Sequence, residues 1–159
     1  MKNSKKGSPQ PTDFSLARTQ RTLPIALLRA REAVMDRMRP MLHEHDITEQ
    51  QWRVIRVLHE EGPLDASSIA EQACILAPSL TRIIKTLEKR ELIATSRDPA
   101  DARRLMADLS AKGQDLIASI TVQASNIYAG IEADMGAERI EGLLNELEFL
   151  LSRLGARGN

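Results

Sequence analysis

The chain has 159 residues and 17.7 kDa, 42% of them hydrophobic, 28% charged and 3% aromatic, which excludes two large domains, a disordered chain and a disulfide-stapled scaffold. Its 22 basic and 22 acidic residues balance, so it is not basic throughout in the manner of a wholly cationic nucleic-acid binder. The balance is a cancellation of regions, with basic and acidic residues numbering five and one in 1–22, six and nine in 23–77, seven and four in 78–104, and four and eight in 105–159.

Both positive zones can meet a polyanion. Residues 1–22, with Lys2, Lys5 and Lys6 among Ser, Gly and Pro, read as a flexible basic tail. No apolar run approaches the roughly 20 residues that span a bilayer and the N-terminus has no apolar signal core, so no membrane partner and a cytoplasmic location are expected. Cys74, the one cysteine, follows Ile69, Ala70 and Ala73 with no adjacent cation, and is expected to be a small core residue rather than a redox thiol.

Taken in order, Leu27, Leu28, Val34, Met35, Met38, Met41 and Leu42 recur at three- and four-residue spacing and predict a long amphipathic helix over 23–42. Thr48 with Gln51 three residues on forms a capping box for a second helix through Trp52, Ile55 and Leu58, which Gly62-Pro63 stops. Leu64 to Ser67 opens a short third helix through Ala73. Pro78 suits the first position of a fourth, whose Leu80, Ile83, Ile84 and Leu87 keep the helical stripe without a gap. The period then becomes alternating, predicting a β-hairpin from Ile93 to Arg97, a turn at 98–101, and Arg103 to Leu109 with Leu105, Ala107 and Leu109 on one side. Ser110 caps a fifth helix to about Gly130, and a sixth runs from Ala137 to Leu154 with a stripe of Ile140, Leu143, Leu144, Leu147, Leu150, Leu151 and Leu154.

A short helix, a turn, a basic helix and a basic hairpin define a winged helix-turn-helix, in which the fourth helix faces the major groove and the wing the neighbouring minor groove. The fold class is therefore mainly α with a small β-hairpin wing. Arg82 and Lys85, three apart, project from one face toward phosphates or guanine edges, while Ser79 and Thr81 lie near the helix start with its backbone N–H groups. Arg97, Asp101, Arg103 and Arg104 belong to the wing and its tip. A solvated, merely charged surface is the competing explanation of each residue alone.

The outer helices carry apolar stripes with little to cover them, which a homodimer resolves. Residues 23–46 thus read as a dimerisation helix, 47–109 as the DNA-binding lobe and 110–159 as C-terminal dimerisation helices. Two reading helices related by a two-fold axis would meet half-sites roughly 10 bp apart. Arg31 breaks the first apolar stripe, lying three and four residues from Leu28, Leu27, Val34 and Met35. Such a cation either pairs with an acidic residue or carbonyl of its own chain or its partner, or grips the carboxylate of a small aromatic or apolar acid. Trp52 is either core or the wall of a pocket for that acid's ring. His43, His45 and His59 have no metal-ligand spacing and read as surface residues, and no phosphate loop, nucleophile elbow or Cys/His cluster is present. Neither a cofactor, a metal nor a catalytic residue is expected, so an enzyme is the weakest reading; an interaction module without DNA binding is the other rival.

Pro78 to Glu88, Leu92-Ile93, Asp101-Ala102-Arg103 and Leu109-Ser110-Ala111-Lys112-Gly113 together resemble the MarR family of winged-helix transcriptional regulators, over about residues 23–154. Ile25 to Leu28, Ala30 to Ala33, Thr48 to Arg53 and Ala73 to Leu76 are similar to the branch that controls aromatic-acid degradation. The resemblance implies a homodimer on a pseudo-palindromic double-stranded operator, usually a repressor, released by a small phenolic or aromatic carboxylate. A regulator of efflux or stress genes with another effector is the alternative. It also implies that Ser79, Thr81, Arg82 and Lys85 lie on the recognition helix, that Arg103 enters the minor groove, and that Asp101 helps hold the wing. Glu91 stands where the family usually has Gly, and Thr95 where a wing-strand Arg is common, which leaves that strand's ion pairing to Arg97.

Overall fold

The computed structural model describes residues 19–155; the tail lysines Lys2, Lys5 and Lys6 lie outside them. The described residues fall into two compact units, which divide between Arg37 and Met38. After a short 3-10 turn at Thr19–Arg21, helix α1 runs over Leu23–Glu44. Within the first unit Leu27, Leu28 and Val34 are exposed, the last two at 53% and 39%, so the predicted stripe is present but finds no cover there.

In the second unit, Met38, Met41 and Leu42 from the end of α1 are buried. Helix α2 (Glu49–Glu61) starts as expected: the Gln51 N–H donates to the Thr48 hydroxyl, and the Gln51 side chain accepts from the Thr48 N–H at 3.0 Å. It stops at Gly62, whose φ of 80° is one that L side chains rarely adopt. The predicted third helix begins two residues late, because Leu64–Asp65 form a short strand, β1, and Asp65 caps helix α3 (Ala66–Gln72) through the Ser68 N–H. Helix α4 (Ala77–Lys89) puts Pro78 at its second position. Strands β2 (Ile93–Arg97) and β3 (Leu105–Leu109) form the hairpin, and β1 adds to its free side, giving an antiparallel sheet ordered β1-β3-β2 with Leu64 opposite Ala107 and Ile93 opposite Leu109.

The core joins Trp52, Ile55 and Leu58 of α2, Ile69 of α3, Leu80 and Leu87 of α4, and Leu92, Ile93, Ala107 and Leu109. Each large side chain fully buried here stabilises by about 1.5–3 kcal/mol. Leu105, predicted to share the inner face of β3, is half exposed because its end of the strand extends past the core. Helix α5 (Ala111–Met135), capped by Ser110, supplies Ile117, Ile120 and Ala124 to the core and continues past Gly130 to Met135, with Gly136 as its C-cap. Nothing crowds Gly130, so it costs the helix only its weak propensity. Helix α6 (Ala137–Leu154) has no buried residue; Leu143, Leu144, Leu151 and Leu154 are each about half exposed or more.

Cys74 departs from the expectation. Ala73 and Ile75 beside it are buried, but Cys74 itself is exposed with a φ of 51°, because the corner after α3 turns its side chain out of the stripe. The histidines also divide: His43 and His59 are exposed, whereas the ring of His45 is partly enclosed.

Glycine is required at one position and missing at another. A Cβ on Gly113 would lie 2.1 Å from the Leu92 carbonyl oxygen, so the close approach of α5 to the end of the recognition segment needs glycine. Glu91 adopts a φ of 61°, keeping the helix exit that glycine would give at the expense of about 1–2 kcal/mol of steric strain. We expect Gly113→Ala to lower stability by about 1–3 kcal/mol, and Glu91→Gly to raise it by about 1 kcal/mol or less after the added freedom of the unfolded chain. Urea unfolding midpoints at a constant m-value test both.

Candidate nucleic-acid interface

Burial of Leu80, Ile83 and Leu87 turns Ser79, Thr81, Arg82, Lys85 and Lys89 of α4 toward solvent. Among the described residues, the side chains of Arg82, Lys85 and Lys89 make no hydrogen bond or ion pair, so their charges are available to an external anion. The start of α4 offers fewer backbone donors than its position implies, since Pro78 has no N–H and the Ser79 N–H bonds the Leu76 carbonyl at 3.0 Å. Hydroxyl groups are the polar equipment there; that of Thr81 reaches back to the Ala77 carbonyl at 3.4 Å.

Sequence reasoning missed a polar cleft of about 370 Å³ beside this helix, lined by Thr48, Gln50 and Gln51 from the start of α2 and by Ser79, Arg82, Ile83 and Thr86 of α4. No local pattern marks Gln50 or Thr86 for such a site. Their proximity comes from the packing of α4 on α2.

The wing loop, 98–104, is braced by its own backbone. The Asp98 carboxylate accepts from the Ala100 N–H at 2.8 Å, and the Asp101 carboxylate from the Arg103 N–H at 3.0 Å. Arg97 donates to the Ala102 carbonyl at 3.0 Å. The strand ion pairing that the resemblance left to Arg97 runs instead through Arg104, which pairs with Asp65 at the start of α3 and lies 4.0 Å from Asp98. Thr95 donates to the Glu88 carboxylate, tying β2 to α4. These bonds present Arg103 at the tip, exposed and with no side-chain partner among the described residues.

Asp65 holds two jobs at once, helix cap and wing anchor. The Ser68 backbone N–H first, and then the Arg104 guanidinium, hold its carboxyl below the ordinary value of 3.8. Arg104 is correspondingly raised, chiefly by its hydrogen bond to Asp65.

The two predicted effector residues are found apart in sequence and differ in setting. Arg31 is exposed on α1 and pairs with Glu32 at 2.5 Å. Trp52 is buried to 8% exposure, and the Arg56 guanidinium, one helical turn on, lies 5.8 Å from its ring centroid, a partner that sequence reasoning did not single out. No group of three or more His, Cys, Asp or Glu side chains able to hold a metal occurs among the described residues, and no described helix is long and apolar enough to cross a membrane.

A two-helix reader with a cationic outer edge, followed by an arginine-tipped hairpin, defines a winged helix-turn-helix DNA-binding protein. The MarR family model matches residues 47–105. The HTH-type transcriptional regulator FarR of Neisseria gonorrhoeae is 43% identical over 77% of this chain and 86% of its own. The homoprotocatechuate degradative operon repressor of Escherichia coli is 41% identical over 82% of this chain and 88% of its own. The solved structure of NadR in complex with 4-hydroxyphenylacetate superposes with a TM-score of 0.78 at 39% identity, covering 86% of this chain and all of NadR. The chain belongs to the MarR family of transcriptional regulators.

The doubly used Asp65 supplies a test. A carboxylate whose folded pKa is depressed contributes stability that is complete above its unfolded value and is lost as pH falls through the folded one. The stability difference between wild type and Asp65→Asn should stay level from about pH 8 to about pH 5 and close below about pH 4. Because Asn still caps α3, amide exchange should quicken in the wing loop more than in α3.

Proposed function

We propose that this chain is a cytoplasmic repressor that binds a pseudo-palindromic operator as a homodimer and is released by a small phenolic or aromatic carboxylate. The observation that carries the reading is the set of unpartnered cations on one solvent face of α4, accompanied by Arg103 on a braced wing. In the complex, Arg82 and Lys85 meet phosphates or guanine edges, Ser79 and Thr81 add hydroxyl contacts, and Arg103 enters the minor groove. Arg97, Asp101 and Arg104 act mainly by holding the wing, with Arg104 retaining N–H groups for a phosphate.

Dimerisation through residues 23–46 and 110–159 is supported by the exposed leucines of α6 and by those of the first turns of α1. Effector recognition is supported by two cations in different settings, Arg56 over an aromatic ring and Arg31 on an exposed helix face. Trp52 is largely buried with the Arg56 guanidinium over its ring, and Arg56, exposed and paired with Glu60, is the cation there that an aromatic acid would meet. Arg31 remains a carboxylate grip that exchanges Glu32 for the ligand. The Escherichia coli relative represses a homoprotocatechuate operon and NadR holds 4-hydroxyphenylacetate, so hydroxyphenylacetates are the first compounds to test.

Release follows if the ligand favours a spacing of the two reading helices that mismatches the operator, since binding of acid and DNA then oppose each other by linkage. A tenfold loss of DNA affinity needs about 1.4 kcal/mol of coupling. That is a modest share of one desolvated arginine–carboxylate contact.

A mobility shift on the promoter fragment beside the gene, with and without hydroxyphenylacetates, tests the reading. We expect affinity to fall steeply with salt as phosphates release counterions. Arg82→Ala and Arg103→Ala should each weaken binding about tenfold and lower the salt slope by about 1 for each phosphate no longer neutralised. Hydroxyphenylacetates should abolish the shift, less so in Arg31→Ala or Arg56→Ala. A shift insensitive to both arginines on DNA, or released only by unrelated compounds, contradicts the corresponding half of the reading.

A further inference from the structure

Among the described residues, three other than glycine hold left-handed backbone: Asp46, Cys74 and Glu91, with φ of 53°, 51° and 61°. Each belongs to a corner next to the reading unit, and each has its carbonyl taken by a side chain from elsewhere in the fold. Arg53 of α2 donates to the Cys74 carbonyl at 3.0 Å and to that of Ala73 at 2.8 Å. Arg90, which follows α4, donates to the Asp46 carbonyl and to that of His45 at 3.3 Å. The Ser110 hydroxyl donates to the Glu91 carbonyl.

The two arginines act on the segments that flank α4, Arg53 from α2 on the one before it and Arg90 as part of the one after it. Ala73 and Cys74 lie just ahead of α4, so holding their carbonyls fixes where that helix begins. Arg90 is its C-cap, so holding Arg90 to the corner between α1 and α2 fixes where it ends. Both clamps refer α4 to the same body, the α2 segment and its entry corner. One terminal nitrogen of Arg53 serves both carbonyls, and its Nε is enclosed with no hydrogen-bond partner among the described residues. The carbonyls it meets also end helix α3, where the dipole favours a cation.

We propose that Arg53 and Arg90 are positioning residues for operator recognition, which set the pose of α4 through the carbonyls of two left-handed corners without touching DNA. The inference rests on the DNA-binding reading above. Without either clamp, α4 spends part of its time in poses that do not dock, and apparent affinity falls by the competent fraction. Such a weakening differs in kind from removal of a phosphate-binding cation, because no counterions are exchanged.

The test is fluorescence anisotropy with a labelled duplex of the promoter fragment, titrated at several KCl concentrations with wild type, Arg53→Ala, Arg53→Lys, Arg90→Ala and, as reference, Arg82→Ala. We expect Arg53→Ala and Arg90→Ala to bind about tenfold more weakly at every salt concentration, equivalent to about 1.4 kcal/mol, with the wild-type salt slope. Arg82→Ala should bind with a reduced slope. Arg53→Lys keeps the charge, but its stem is one bond shorter than the path to the single Arg53 nitrogen that meets both carbonyls, so it too should bind more weakly at unchanged slope. Urea unfolding establishes that each variant is folded at the assay temperature; should Arg53→Ala fail to fold, Arg53→Lys and Arg90→Ala carry the comparison.

Wild-type affinity in the folded Arg53 and Arg90 variants overturns the proposal. So does a slope reduced by about 1 together with full rescue by Arg53→Lys, which would make Arg53 a phosphate contact. If wild type itself binds no duplex even at low salt, the DNA-binding reading fails, and this inference with it.

Discussion

The rotation of α4 about its own axis decides what this protein presents to a polyanion. Leu80, Ile83 and Leu87 form one stripe and all three are buried, which leaves Arg82 and Lys85 no orientation but outward. Turning the helix by a quarter would expose two or three of these side chains at about 1.5–3 kcal/mol each, more than the cations could recover at a wet surface. The basic edge is thus fixed by the apolar one. Balanced overall charge is no obstacle to polyanion binding when the cations share a face and the acidic residues lie mainly on other segments.

The same logic extends to the wing. A loop of this length would ordinarily wander, but two carboxylates cap its turns and Arg104 ties it to the start of α3. Asp65 links helix capping to wing placement, so the reader and its hairpin are mechanically one object. Thr95, where an arginine is common in the family, supports that union by a different bond, to Glu88 of α4.

Much of this was legible in the residues because the deciding interactions are local. The Thr48–Gln51 capping box, the α4 stripe and the Ser110 cap depend on spacing within one turn. The failures share a cause: they depend on partners distant in the chain. Strand β1 is two residues long and exists only because β3 pairs with it. Cys74 sat in an apolar run, yet the left-handed corner rotates it outward. The cleft at Gln50 and Thr86, the carbonyl clamps of Arg53 and Arg90, and the wing brace of Arg104 arise from tertiary approach, which periodicity does not encode. Glu91 is the instructive intermediate: its position told that an unusual backbone was at stake, and only the fold told that glutamate adopts it.

In the proposed complex, two copies of one buried-stripe helix place their cationic edges in successive major-groove faces of a single duplex. Methylation interference at guanine N7, a major-groove atom, measures this directly on the bound promoter fragment. Two clusters of interfering guanines related by a dyad, with centres roughly 10 bp apart, are the expected result. A bound complex with no interfering guanine, or with a single cluster lacking a symmetric mate, would contradict it.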